Sequence, residues 1–179
     1  MAVISSDYAS KIFALHCELG IPENYAAERG LLLQGEAVEL VSVGQTDAGQ
    51  QCLLDPSAAA AWRVMRAKAA EFDIELTPLS GFRSVERQAE IVRGKLAVGH
   101  TLDEILSTIA APGFSEHHTG RAIDVGTPGV LPLEEAFATT AAYAWLERHG
   151  ESHGFRLSYP KGNRAGFIYE PWHWCWCGN

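Results

Sequence analysis

The 179 residues predict an α+β fold, a single domain with a small, mostly antiparallel sheet and flanking helices. Four observations carry this. No repeat, linker or low-complexity stretch divides the chain. At 47% hydrophobic and 20% charged residues the composition is that of an ordinary globular protein. A domain this long hides about 70% of its unfolded surface, enough for one core without disulfides. Finally, helical patterns precede and flank several short strands without alternating regularly with them, which argues against a doubly wound sheet.

Taken in order, Tyr8–Leu19 has apolar Ile12, Phe13, Leu15 and Leu19 at helical spacing, with Gly20 and Pro22 as the stop. Ala37–Val43 reads as a strand, and TDAGQQ, holding an Asp-Ala-Gly turn, leads to a second run at Cys52–Leu54. Asp55 and Pro56 open an Ala-rich amphipathic helix through Phe72 that carries Trp62, Met65 and Ala69. Ile74–Leu79 alternates as a strand, and Glu86–Lys95 and Leu102–Ala110 read as helices separated by VGHT. A polar loop after Pro112 and Gly113 precedes a short strand at Arg121–Val125 and a last helix at Thr139–His149. RLSY and YEPWHWCW are the final strand-like pieces. Residues 1–70 thus supply helices and strands at the N-terminal side, and 74–179 form the motif-bearing part of one domain.

The formal charge of -8 and the lack of any Lys/Arg run exclude a nucleic-acid partner and favour a small or peptidic one. Asp7, Lys11 and His16 interrupt any apolar run near the start, so neither a signal peptide nor a membrane span is expected. The default location is cytoplasmic, and periplasmic or wall-associated if an export signal is missing from this sequence. Cys17, Cys52, Cys175 and Cys177 allow three complete pairings, and free thiols are the expectation.

The chemistry concentrates in SEHHTGRAIDV, where His117 and Asp124 stand seven residues apart across a Gly turn. On a strand, Ala122 and Asp124 face the same side, so a small side chain leaves room beside a carboxylate. In EPWHW, a strand would aim His173 away from Trp172 and Trp174, which are left to pack into the core. A His/Asp/His set leaves one position open, as catalytic zinc sites do, and zinc there lowers the pKa of water and polarises a carbonyl. Glu170, three residues before His173 with Pro171 stiffening the link, is placed to serve as the general base.

SGFRS at Ser80–Ser84, SEHHTGRAIDV at Ser115–Val125 and EPWHW at Glu170–Trp174, in this order and at these separations, resemble the VanY-type D-alanyl-D-alanine metallopeptidases. That family shares its fold with lysostaphin-like enzymes and the hedgehog signalling domain. The pattern SxHxxGxAxD is met by Ser115, His117, Gly120, Ala122 and Asp124, and ExWH by Glu170, Trp172 and His173. The resemblance covers the last hundred residues closely. It implies that His117, Asp124 and His173 bind one zinc ion and that Glu170 activates water. His118 falls at a free position of the pattern and is not expected to be a ligand. By the same resemblance Arg83 stabilises the oxyanion and orients substrate, a task suited to a permanently charged fork of donors. Gln88 and Ser115 resemble positions that hold the substrate's terminal carboxylate, and Tyr159 of LSYP is a further candidate for the pocket lining.

The implied activity is removal of a C-terminal D-amino acid from peptidoglycan stem peptides, cutting a D,D or L,D bond, by a monomer. A cytoplasmic D-Ala-D-Ala dipeptidase and a non-catalytic zinc-binding module are the alternatives. The second has no use for a base at Glu170. A serine peptidase is disfavoured: Ser158–Lys161 spells SxxK, but Pro160 opposes the helical turn that motif needs.

Overall fold

Local start and stop signals place the helices in the computed structural model, which describes residues 4–46 and 49–178. Ser5 accepts from the Tyr8 amide to open α1 (Ser6–Leu19), which ends at Gly20 in a left-handed conformation. Asp55 accepts from the Ser57 and Ala58 amides to start α3 (Pro56–Ala70), with Pro56 in the first turn. Ser84 caps α4 (Val85–Ala97), and a reciprocal Thr101–Glu104 box caps α5 (Leu102–Thr108). Thr140 caps α6 (Ala141–His149). A five-residue helix, α2 (Tyr25–Arg29), is too short to show in the hydrophobic pattern.

Every strand pair is antiparallel. Strands β1 (Val41–Gln45) and β2 (Gln51–Leu54) form a small hairpin; of the Asp-Ala-Gly turn between them, Asp47 and Ala48 lie outside the described residues. Strands β3 (Thr77–Ser80), β4 (Ala122–Gly126), β5 (Phe155–Leu157) and β6 (His173–Trp176) form a sheet in the order β3-β4-β6-β5. The expected strand at 37–43 is displaced to Val41–Gln45, because Ala37 donates its amide to the His118 carbonyl and leaves no ladder for the first residues. Similarly, 169–172 do not extend the last strand: the His173 amide donates to the Glu170 carbonyl, folding this stretch into a turn.

The period-2 alternation of the sheet separates core from site. Ile123, Val125, Trp174 and Trp176 pack with Trp62 and Met65 of α3 and Leu146 of α6. Apolar side chains of α1, α2, α4 and α5 form a separate cluster around Ile12, Tyr25, Val92 and Ile105. The buried apolar residues therefore do not merge into the one core expected from length. Gln88, His118, Asp124 and His173 are among the polar residues that are also buried.

Candidate metal centre and active site

Strand register puts Asp124 directly opposite His173 on the site-facing side of β4 and β6. His117 comes from a single 3-10 turn, Glu116–Thr119, whose start is capped by Ser115 and whose end is turned back by Gly120 at φ 65°. One nitrogen from each histidine and one Asp124 oxygen all lie within 4.8 Å of one another, and the three residues are buried. A left-handed residue must follow the histidine turn before the chain can enter β4, and glycine takes that conformation without steric cost.

The hydrogen bonds decide which nitrogens face the centre. Gly81 offers only a carbonyl to His117 Nδ1, at 2.7 Å, so Nδ1 carries the proton and Nε2, 3.3 Å from Asp124 Oδ2, keeps its lone pair. His173 Nε2 donates to Glu116 Oε2 at 3.0 Å, and its Nδ1 lies 3.0 Å from Asp124 Oδ1. Burial opposes charge on His173, yet its bonds to Asp124 and Glu116 raise its pKa to about 10. Burial would likewise raise both carboxyls, but His173 and Ser158 bring Glu116 to about 2, and the two histidines hold Asp124 well below the usual range. A buried carboxylate between two imidazole nitrogens is a donor set that fits a divalent ion such as zinc, with the Nδ1 proton of His173 displaced on binding.

Glu170 follows from the turn before β6, with Oε2 3.8 Å from His173 Nδ1. Burial is the main cause of its raised pKa, about 7, partly offset by His173. A carboxyl poised near neutrality is suited to exchanging protons in both directions. Arg83, Ser115, Tyr159 and Glu170 all line the same cavity as the three candidate ligands, about 330 Å³ in volume. The Tyr159 ring lies 4.7 Å from that of His173. Ser115 Oγ accepts from the His117 amide at 3.3 Å, which leaves its hydroxyl proton free to donate.

Gln88 stands one layer behind the lining. Fully buried, it accepts from Arg83 Nη1 at 3.0 Å and donates to the Ala110 carbonyl at 2.6 Å, so its amide meets the cavity through Arg83. His118 is also committed elsewhere: Nδ1 donates to the Arg83 carbonyl at 2.6 Å and Nε2 accepts from the Gly113 amide at 3.0 Å. Cys175 is buried opposite Ala122 and is not part of the three-residue group, and all four cysteines are free thiols. Ser158 donates to Glu116 Oε2 at 2.5 Å, while Lys161 Nζ sits 5.0 Å from the Tyr169 ring centre, an arrangement without a Ser–Lys pair.

Glu116 is a candidate site residue that sequence reading missed. It sits inside the pattern SxHxxGxAxD at a free position, and only its contact with His173, 57 residues away, gives it a role. A carboxylate accepting from the outer nitrogen of a metal-binding imidazole fixes the ring and strengthens the inner nitrogen as a donor.

Comparison with known proteins identifies the family. Residues 51–179 match the VanY family, described as D-alanyl-D-alanine carboxypeptidase. YodJ of Bacillus subtilis (strain 168) is 33% identical over 127 residues, covering 69% of this chain and 46% of its own. The chain thus spans about half the length of that relative. The structure of the LdcB LD-carboxypeptidase superposes with a TM-score of 0.73 at 30% identity, over 80% of this chain and 70% of that one. A Zn(II) complex of a glutamate-to-alanine mutant of the vancomycin-resistance D,D-pentapeptidase VanY has a TM-score of 0.62 at 26% identity, over 84% and 89%.

Proposed function

The chain belongs to the VanY family of D-alanyl-D-alanine carboxypeptidases, and from that premise we propose that it is a zinc-dependent D,D- or L,D-carboxypeptidase removing a C-terminal D-amino acid from peptidoglycan stem peptides. The observation that carries this reading is the position of Glu170, a buried carboxyl with a pKa near 7, 3.8 Å from a candidate ligand and facing the same cavity as Arg83. A recognition module built on the same ligands would have no use for such a base.

His117, Asp124 and His173 would hold the zinc, which when bound supplies Lewis acidity and favours ionisation of water near neutral pH. Glu170 takes the proton from the attacking water and passes it to the leaving amine. Arg83, steadied by Gln88 and by Ser80 Oγ at 3.3 Å, donates to the carbonyl oxygen as negative charge develops there. Ser115 donates its free hydroxyl proton to the terminal carboxylate, and Tyr159, whose phenol is held neutral by burial, walls the cavity beside His173. Gln88 acts on the substrate through Arg83.

The test is release of D-alanine from a muropeptide pentapeptide, a muropeptide tetrapeptide and free D-Ala-D-Ala by the zinc-loaded protein. The pentapeptide or tetrapeptide should be cleaved, with a loss of about 10²–10⁴-fold in Glu170→Ala and reversible loss on chelation. Cleavage of the dipeptide alone would replace this reading with a dipeptidase, and no cleavage of any substrate would favour the non-catalytic module.

A further inference from the structure

The catalytic cavity does not end at the zinc ligands. It reaches Lys95 in the last turn of α4 and Thr108 at the end of α5, and these two residues also line an adjoining hollow of about 320 Å³. They form the divide between the two spaces. Lys95 is half-buried there. Among the described residues it makes no ion pair, whereas Lys11, Lys68, Arg87 and Arg93 each pair with a glutamate. Glu104, the carboxylate of the adjoining hollow, is occupied by the Thr101 amide and hydroxyl, both at 2.8 Å. A lysine near a helix C-terminus balances the helix dipole from solvent equally well, so the dipole alone does not account for one turned into a cleft.

The spacing along α4 gives the distance. Gln88, which holds Arg83, and Lys95 are seven residues apart on one helix face, with fully buried Val92 between them. Seven residues rise about 10 Å, the length of about three residues of extended peptide. A carboxypeptidase releases one residue, so a group this far along α4 from the residue that holds Arg83, and lining the same cavity, meets the amino side of the scissile bond.

We propose that Lys95 is a specificity-determining residue that binds a free carboxylate carried by the peptide about three residues to the amino side of the cleaved bond. This rests on the carboxypeptidase reading for its direction along the substrate. In a protein of net charge -8, an unpaired cation beyond Arg83 in the cleft also offsets the repulsion that an acidic peptide would meet on approach.

The experiment uses two synthetic peptides ending in D-Ala-D-Ala that differ only at the third residue on the amino side of the scissile bond, which carries a free carboxylate or the carboxamide. Affinities are measured calorimetrically with zinc-loaded Glu170→Ala protein, alone and combined with Lys95→Gln or Lys95→Glu, and cleavage is measured with the wild type. The carboxylate peptide should bind about fivefold more tightly. Lys95→Gln should bring that ratio to about one and Lys95→Glu should invert it. Because each variant is judged by a ratio between two ligands, partial misfolding does not imitate the result. Equal affinities, or a preference that survives Lys95→Gln, overturn the assignment even if the wild type cleaves both peptides. A lysine-dependent preference without cleavage supports the anion site while overturning the carboxypeptidase reading, and absence of binding by either peptide overturns both.

Discussion

Glu116 Oε2 accepts from His173 Nε2 at 3.0 Å, so a residue of the 3-10 turn adjacent to one candidate ligand sets the orientation of another contributed by β6. The same oxygen accepts from Ser158 Oγ at 2.5 Å, which ties the 3-10 turn, β6 and the end of β5 to one carboxylate. Glu116→Gln keeps the shape but weakens this acceptor. Zinc affinity, measured by competition with a chromophoric chelator, should fall about 10–100-fold while the circular dichroism spectrum is retained. Unchanged affinity would reduce Glu116 to a packing residue.

Gly120 closes the histidine turn at φ 65°, and a Cβ there would lie 2.8 Å from the Asp55 amide nitrogen and 3.2 Å from Ala37 Cβ. Both obstacles are backbone or a rigid methyl, so neither can swing aside. Gly120→Ala should cost about 2 kcal/mol or more, lowering Tm by about 2–4 °C for each kcal/mol, and should weaken zinc binding through displacement of His117. Thermal melts with and without zinc measure both effects.

Arg29 links α2 to the wall of the cavity. Its guanidinium lies 5.0 Å from the Tyr25 ring centre and 5.3 Å from that of Phe167, and Nη1 donates to the Ala165 carbonyl at 3.1 Å. Phe167 stacks edge-on against Tyr159, and both line the cavity. Arg29→Met should raise KM for a stem peptide roughly threefold to tenfold with a smaller change in kcat, since it loosens a wall and leaves the reacting groups alone. An equal fall in kcat would place Arg29 closer to the chemistry than the structure does.

His16 donates from Nε2 to the Pro112 carbonyl at 2.8 Å and is packed beside Tyr25 and Phe114. Burial lowers its pKa below 6.5, opposed by that hydrogen bond. The unfolded chain then binds the proton more readily, so the stabilisation from a neutral His16 is complete above pH 6.5 and is lost as pH falls through the folded pKa. Between about pH 7 and 5, Tm should fall less steeply in His16→Gln than in the wild type. Parallel curves would assign the acid sensitivity to other groups.

Much of the molecule is legible in residue order because its signals are local. Ser5, Asp55 and Ser84 mark helix starts through bonds to amides within three residues. The alternation Ile123–Asp124–Val125 and His173–Trp174 separates core from site through the pleat of a strand. The spacing of His117, Asp124, Glu170 and His173 and the family resemblance are likewise properties of the string. Tertiary structure decided what depends on approach between distant segments. It made Glu116 the support of His173, set Gln88 behind Arg83, folded 169–172 into the turn that returns Glu170 to the centre, and left Lys95 in the cleft without a counterion among the described residues. A glutamate, a glutamine and a lysine on helices look like solvated side chains in sequence, because their own neighbours neither bury nor pair them. Their roles arise only when packing removes water and brings a partner from another part of the chain within hydrogen-bonding distance, or withholds one.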